Sequence, residues 1–81
     1  MSDPVNPDHY KSGTMEVIDF IREQLGDEGF AAYCRGSILK YVSRSEKKGS
    51  FAQDMAKAAW YSQMGAHANS PTLYEDPRPN K

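Results

Sequence analysis

The stretch that decides the fold is residues 28–68, which read EGFAAYCRGSILKYVSR, SEKKGS and FAQDMAKAAWYSQMGAHA in order. It contains no proline, since all five prolines lie nearer the ends of the chain, at Pro4, Pro7, Pro71, Pro77 and Pro79. Proline is the strongest helix breaker, so this stretch is free to form long helices. The charged run Ser45–Gly49 predicts a turn between them, because glycine adopts backbone conformations that other residues resist.

A helix is predicted over about residues 28–44. Placing successive residues about 100° apart separates them into two sectors. The apolar sector holds Phe30, Ala31, Cys34, Ile38, Tyr41 and Val42, and the opposite sector holds Tyr33, Gly36, Ser37, Lys40 and Arg44. This separation predicts an amphipathic helix that buries one face.

The next helix is predicted from Phe51 to about Ala68, opened by a capping box formed by Ser50 and Gln53. Its apolar positions cover well over half of the circumference: Phe51, Ala52, Met55, Ala56, Ala58, Ala59, Trp60 and Met64. The remaining polar stripe is Asp54, Lys57 and Tyr61.

A helix that is apolar over so wide an arc needs more than one partner surface. Trp60, Met64 and Ala56 lie off the face formed by Phe51, Met55 and Ala59, so we expect one of these two surfaces to meet another subunit. The prediction is therefore a homo-oligomer. The alternative is a single antiparallel helical hairpin whose many alanines allow close packing.

Outside this stretch, Thr14 can cap a helix that runs to about Leu25 and stops at Gly26. Residues 1–13 are predicted as an extended N-terminal arm, because each proline biases its predecessor away from helix. Residues 69–81 are rich in turn formers and are predicted as a flexible tail. The expected architecture is all-α, with three helices in a domain spanning 14–68.

Composition excludes several classes of protein. A chain of 81 residues makes one small domain, and no apolar run approaches the ~18–20 residues that cross a bilayer. The N-terminus lacks the basic and apolar regions of a secretory signal. A single cysteine, Cys34, excludes an internal disulfide, so a reducing cytoplasm is the expected location.

The net charge of −1 averages three unlike regions. Residues 1–34 hold two basic and seven acidic residues, residues 35–57 hold six basic and two acidic residues, and residues 58–81 balance. A confined basic patch suits a small anionic ligand better than extended nucleic acid. Equally, this patch can pair with the acidic N-terminal region of the same or a neighbouring subunit.

Known catalytic motifs are missing from the sequence. There is no phosphate-binding P-loop, no G-x-G-x-x-G, no H-E-x-x-H and no G-x-S-x-G. His9 and His67 lie at opposite ends of the chain, so no histidine-based metal site and no cofactor are predicted. Cys34 falls in the apolar sector and is interpreted as a core residue rather than a nucleophile.

The positive signal is a set of cations at helical spacing. Gly36, Lys40 and Arg44 recur every four residues on one face, which places two cations beside a glycine that allows close approach. Arginine offers a planar fork of donors and lysine a compact charge, and phosphate oxygens suit both. Asp54 can orient Lys57 or accept a hydrogen bond from a base or sugar hydroxyl. The alternatives are a solvated face for the first pair and a surface ion pair for the second.

Four segments together carry a family resemblance: residues 6–11 (NPDHYK), residues 16–21 (EVIDFI), residues 36–49 with Gly36-Ser37-Ile38-Leu39-Lys40-Tyr41, and Asp54-x-x-Lys57-Ala58-x-Trp60-Tyr61. In order and spacing this pattern resembles the SaV-like family of small bacteriophage proteins, over about residues 5–64. That family is similar to the C-terminal part of a coliphage nucleotide kinase that acts on deoxynucleoside monophosphates. The resemblance implies nucleotide binding in the host cell cytoplasm and permits phosphoryl transfer.

The sequence departs from the family at two places. Ser37 follows Gly36 where the family commonly has asparagine, which removes an amide able to read a base edge. The chain also lacks the N-terminal portion of the kinase. Three functions are therefore carried forward: binding or sequestration of a nucleotide signal in anti-defence, a nucleotide kinase, and inhibition of a host protein through the apolar face of the last helix.

The expected ligand site has eleven members. Lys40 and Arg44 are assigned to phosphate, with Lys47 and Lys48 as secondary attraction. The pocket is completed by His9, Tyr10, Lys11, Gly36, Asp54, Lys57 and Tyr61. In this interpretation the arm closes over the ligand, with Tyr10 stacking on a base. The alternative is a structural arm whose Tyr10 fills an apolar groove.

Overall fold

Two helices form the described part of the protein. The computed structural model describes residues 16–79, in which α1 spans Val17–Arg44 and α2 spans Phe51–Asn69. The two helices pack side by side as an antiparallel hairpin, and residues 70–79 follow α2 as turns. Neither helix is long and apolar enough to span a membrane. The all-α prediction is confirmed over these residues, whereas the extended arm over 1–13 and the cap at Thr14 lie outside them.

The predicted count of three helices is not supported, because the first two predicted helices form one element. Gly26, the predicted stop, has the non-helical angles φ 75° and ψ 177°, and it interrupts α1 with a kink between two helical segments. A positive φ is tolerated by glycine because it has no Cβ. The helical pattern resumes directly at Asp27, so the glycine kinks the helix instead of starting a loop.

The turn at residues 45–49 forms as predicted, but the capping box does not. Gly49 has φ 86°. Ser50 precedes α2 without making a side-chain cap. Its hydroxyl instead donates to the carbonyl oxygens of Arg44 and Lys47, each at 3.2 Å. Ser50 therefore ties the end of α1 to the turn, which sets the direction in which α2 leaves.

The core lies where the two helices cross. Phe30, Cys34 and Met64 are buried there, and the half-buried residues packed around them are Ile18, Ile21, Tyr33, Trp60 and Ala68. A Cβ on Gly65 would lie 3.4 Å from the Cβ of Cys34, so this glycine lets the helices approach closely. The assignment of Cys34 to the core is confirmed, and burial raises the pKa of its thiol.

The polar stripe of α2 faces inward, toward α1. Asp54 is fully buried, and Lys57 and Tyr61 are half-buried against α1. Phe51, from the apolar arc, is 63% exposed. The reason is that α1 offers polar and aromatic partners along this contact, while Phe51 begins α2 beyond the core.

The C-terminal segment contacts both helices. Arg78 donates to both oxygens of Asp76, from Nη2 at 2.7 Å and Nε at 3.0 Å, and its Nη1 donates to Asp19 at 2.8 Å and Glu16 at 3.3 Å. On α2, His67 Nδ1 donates to the carbonyl oxygen of Tyr74 at 2.9 Å. Flexibility over 69–81 stays a prediction, but these contacts give residues 74–78 a defined position.

We expect the docking of this segment to depend on acid pH. The hydrogen bonds from Arg78 lower the pKa of Asp76 to about 2. Because the pKa is depressed in the folded state, Asp76 stabilises the fold above about pH 4, and this contribution is lost as the pH falls toward 2. Arg78→Ala should lower the free energy of unfolding by about 1.5–3 kcal/mol at pH 7.

Urea unfolding of the wild type, Arg78→Ala and Asp76→Asn between pH 2 and pH 7 measures these changes in the free energy of unfolding. Asp76→Asn should remove most of the pH dependence in that range. Equal stability of wild type and Arg78→Ala at pH 7 would show that the segment contributes nothing to the fold.

Candidate functional site

Three cations surround one aromatic ring at the turn end of the hairpin. Lys40 Nζ lies 4.6 Å from the centroid of the Tyr41 ring, Lys57 Nζ lies 5.3 Å from it and Arg44 Cζ lies 5.4 Å from it. Lys40, Tyr41 and Arg44 come from adjacent turns of α1, and Lys57 comes from α2. An aromatic face attracts cations through its quadrupole, which explains how like charges gather here. We call Lys40, Tyr41, Arg44 and Lys57 the Tyr41 cluster.

A group of aromatic rings holds Tyr41 in place. The ring of Tyr61 stacks on that of Tyr41, with centroids 5.9 Å apart and planes at 17°. Tyr61 in turn meets Tyr33 and Trp60 edge-on, at 6.0 Å and 5.0 Å. Burial, together with a hydrogen bond to Tyr33, raises the pKa of Tyr61 to about 12. Tyr61 therefore stays neutral at physiological pH and acts as a packing ring and hydrogen-bonding group, not as a base.

Asp54 lies beside the cluster as a buried carboxylate. Its side chain is 0% exposed, and neither carboxylate oxygen has a hydrogen-bond partner. The nearest cation is Arg44, whose Nη2 lies 3.9 Å from Oδ1 and whose side chain is 47% exposed. Burying a carboxylate without hydrogen bonds is costly, and native proteins rarely retain such a group without a role.

The charges at this end of the hairpin do not balance. Lys40, Arg44 and Lys57 bring three positive charges, and Asp54 brings one negative charge. Over residues 16–79, no further acidic side chain forms an ion pair with these cations. The excess positive charge, partly open to solvent at Arg44, gives this region a positive electrostatic potential. Also within the described residues, no group of three His, Cys, Asp or Glu side chains is arranged to hold a metal ion.

The structure brings together five of the predicted site residues: Lys40, Arg44, Asp54, Lys57 and Tyr61. Asp54 is buried and pairs with Arg44 across the turn, while the described contact of Lys57 is with Tyr41. The alternative of a surface ion pair between Asp54 and Lys57 is therefore wrong. These five side chains converge because the α2 stripe packs against α1.

Of the other six predicted site residues, the structure describes three. Gly36 lies one turn before Lys40 and is exposed, with no atom within 4 Å of where a Cβ would be. Lys47 and Lys48 are exposed in the turn, and no described contact joins them to the Tyr41 ring. His9, Tyr10 and Lys11 lie outside the described residues, so the role of the arm stays a prediction.

Tyr41 is the residue that sequence reasoning missed. It was assigned to the apolar sector of its helix and hence to the core, yet it is half-buried and central to the cluster. The available signal was the placement of Arg44 three residues after Tyr41, because side chains at this spacing are neighbours on a helix. Lys57 and Tyr61 were predicted site residues, but their contacts with Tyr41 join two helices and had no local signal.

A separate groove of about 210 Å³ lies between the helices. Its lining residues are Ala31, Cys34, Arg35, Ile38, Tyr61, Ser62, Gly65 and Ala66. Arg35 and Arg44 are nine residues apart, about two and a half helical turns, so they project from opposite sides of α1. The groove therefore opens on the other flank from Arg44, and Tyr61 is shared by the two regions.

Comparison with known proteins places the chain among phage proteins. The gene 1.7 protein of Enterobacteria phage T3 is 39% identical over 67 residues, which cover 78% of this chain and 41% of that protein. Nucleotide kinase gp1.7 of Escherichia phage T7 is 39% identical over 62 residues, which cover 72% of this chain and 32% of that protein. The chain thus spans less than half the length of these curated relatives.

The resemblance to phage proteins is confirmed at this level, although the name SaV-like is not shown by these matches. No solved structure matches the chain significantly. Residues 5–63 match the model of a family described as a protein of unknown function, DUF3310. That range contains every residue of the Tyr41 cluster and Asp54, and the chain belongs to the DUF3310 family.

Proposed function

We propose that the protein binds a nucleotide or a nucleotide-derived phosphorylated ligand in the host cytoplasm. The observation that carries this proposal is the convergence of Lys40, Arg44 and Lys57 on one ring, where Asp54 is the one acidic side chain that pairs with any of them within residues 16–79. Charge-assisted hydrogen bonds from lysine and arginine are the usual means of holding phosphate oxygens. Binding without turnover sequesters the ligand, as in anti-defence.

The carboxylate of Asp54 supports a ligand that carries hydrogen-bond donors as well as phosphate. Asp54 has two oxygens without hydrogen bonds, next to the partly exposed guanidinium of Arg44. A base N–H or a sugar hydroxyl offers the donor that Asp54 lacks. Since its side chain is fully buried, a ligand reaches it only if Arg44 moves aside.

Phosphoryl transfer is the second candidate, because one relative is named a nucleotide kinase. Positioned cations also stabilise the charge that develops on a transferred phosphoryl group. The chain covers 32% of that relative. Catalysis by this chain therefore depends on whether the cluster alone orients both reactants.

One experiment tests both candidates. Small molecules that co-purify with the protein are identified by mass spectrometry, and the protein is then incubated with ATP, Mg²⁺ and each deoxynucleoside monophosphate. A bound nucleotide recovered unchanged supports binding, and a diphosphate product supports the kinase. If no nucleotide co-purifies with the protein and none binds at millimolar concentration, the proposal is refuted.

We also propose that the protein assembles with copies of itself through the exposed apolar residues near the turn. Met64 is buried and Trp60 packs against the core of its own subunit. Of the two surfaces considered, this leaves the face formed by Phe51, Met55 and Ala59 for another subunit. Phe51 is 63% exposed, and Leu39 on α1 is 69% exposed.

Light scattering should give a mass above that of the 9.1 kDa monomer. Phe51→Glu should shift the protein toward monomer, because a charge in an apolar contact is costly. Leu73→Glu is the control, since Leu73 is 76% exposed in the C-terminal segment. A wild-type monomer at all practical concentrations would contradict the assembly, and a host protein would then be the candidate partner for this face.

A further inference from the structure

The ring of Tyr41 lies among cationic side chains, unlike the ring of an ordinary core residue. Three cationic groups lie within 5.4 Å of its ring centroid, so any two of them are less than about 11 Å apart. At such separations like charges repel, most strongly where solvent is partly excluded. The attraction of the ring face for cations offsets this repulsion.

The cations also come from different elements. Lys40 and Arg44 flank Tyr41 on α1, so their proximity follows from helical spacing. Lys57 belongs to α2, and its described contact is with the Tyr41 ring. Tyr41 is therefore the point at which the cation of α2 joins those of α1.

The orientation of the ring is fixed before any ligand arrives. Tyr61 stacks nearly parallel to Tyr41, and Tyr61 is itself held between Tyr33 and Trp60. Two stacked rings have little freedom to rotate independently. A fixed ring holds the long lysine side chains in few conformations, and that lowers the entropy cost of closing them on an anion.

We propose that Tyr41 is a positioning residue that gathers Lys40, Arg44 and Lys57 into a single phosphate-binding group. This inference rests on the proposed function and adds to it the residue that organises the cations. Tyr41 touches the cations through its ring face, so its hydroxyl group is not required. The aromatic ring, not the phenol, carries the role.

The test compares Tyr41→Phe, which keeps the ring, with Tyr41→Leu, which keeps an apolar side chain without it. The first measurement is the NMR chemical shift of the Lys40 and Lys57 side-chain Hε protons, which a nearby ring face moves upfield. The second is the affinity for inorganic phosphate, from a chemical-shift titration. Tyr74→Leu is the matched control: it makes the same change in the C-terminal segment, where Tyr74 is 52% exposed and, within residues 16–79, no cation lies over its ring.

We expect Tyr41→Phe to keep both the upfield shifts and the wild-type affinity. Tyr41→Leu should lose the shifts and weaken phosphate binding about tenfold, as expected from the loss of several cation–π contacts. Tyr74→Leu should keep the shifts and bind within about twofold of wild type, because the cation contacts with Tyr41 remain.

Two results would overturn the inference. The first is Tyr41→Leu with wild-type phosphate affinity, whether or not the lysine shifts move. The second is weaker binding in Tyr41→Phe equal to that in Tyr41→Leu, because the phenol would then carry the effect. If nucleotides bind and Tyr41→Leu changes nothing, this inference alone fails; if the wild type binds neither phosphate nor any nucleotide, the proposed function fails with it.

Discussion

Arg44→Ala is expected to weaken nucleotide binding by about 1.5–3 kcal/mol, since a charge-assisted hydrogen bond to phosphate is lost. This corresponds to an increase in Kd of about 10-fold to 150-fold. Lys40→Ala should weaken binding over the same range. The two variants should differ in stability, because Arg44 is the cation nearest to the buried Asp54, 3.9 Å away, whereas the described contact of Lys40 is with the ring of Tyr41.

Isothermal titration with the nucleotide identified by co-purification measures the affinities, and urea unfolding measures the stabilities. Lys48→Ala is the matched control: it removes the same charge as Lys40→Ala from an exposed position in the turn. Its effect on affinity should be small and should disappear in high salt, because only long-range attraction is lost. Normal binding by both Lys40→Ala and Arg44→Ala would assign these cations to a solvated face and place the site elsewhere.

Asp54→Asn is expected to stabilise the ligand-free protein while it weakens ligand binding. The carboxylate of Asp54 is fully buried and has no hydrogen bonds, so replacing the charge with a neutral amide of similar size lowers the cost of burial. A gain of about 1–2 kcal/mol is expected, which corresponds to a rise in Tm of several degrees in a domain of this size. Affinity should fall, because Arg44 loses its counter-charge and the ligand loses an acceptor.

A matched control exists elsewhere in the chain. Asp76→Asn makes the same chemical change at a carboxylate that accepts hydrogen bonds from Arg78 on both oxygens, and it should destabilise the protein. Opposite signs for the two variants would mark Asp54 as a residue retained for function at the expense of stability. If Asp54→Asn lowered stability as Asp76→Asn does, the buried carboxylate would be a structural group and its place in the site would be lost.

The effects of the cation variants on KM and kcat would distinguish a binding role from a catalytic role. In the proposed binding site the cations hold phosphate to the same extent in the ground state and in the transition state. Uniform binding of this kind lowers KM without raising kcat. If turnover occurs, Lys40→Ala and Lys57→Ala should therefore change KM more than kcat, unless one cation contacts the phosphoryl group only while it is transferred.

Local patterns in the sequence were sufficient for most of the fold. The boundaries at Phe51 and near Arg44 and the turn at Gly49 all follow from glycine placement and the absence of proline. Cys34 and Phe30 were assigned to the core by helical periodicity, and both are buried. Periodicity is a property of one helix at a time, so these features require no knowledge of the partner helix.

The number of helices and the way α2 is capped were less predictable. A glycine near a helix end can stop the helix or bend it, and the outcome at Gly26 depends on the contacts of Ile18 and Ile21 with the core. The hydroxyl of Ser50 donates to the carbonyl oxygens of Arg44 and Lys47 and makes no cap to the N–H groups of α2, and this choice depends on how the turn folds.

The sequence by itself determined the helical segments, the turn between them and the cationic spacing of Lys40 and Arg44, because these depend on interactions a few residues apart. Only the tertiary structure decided which side of α2 faces α1. That choice buries the stripe with Asp54 and Tyr61, exposes Phe51, and makes Tyr41 the centre of the site. The physical reason is that a helix with an apolar arc this wide can pack in several rotations, and the contacts of the partner helix select one of them.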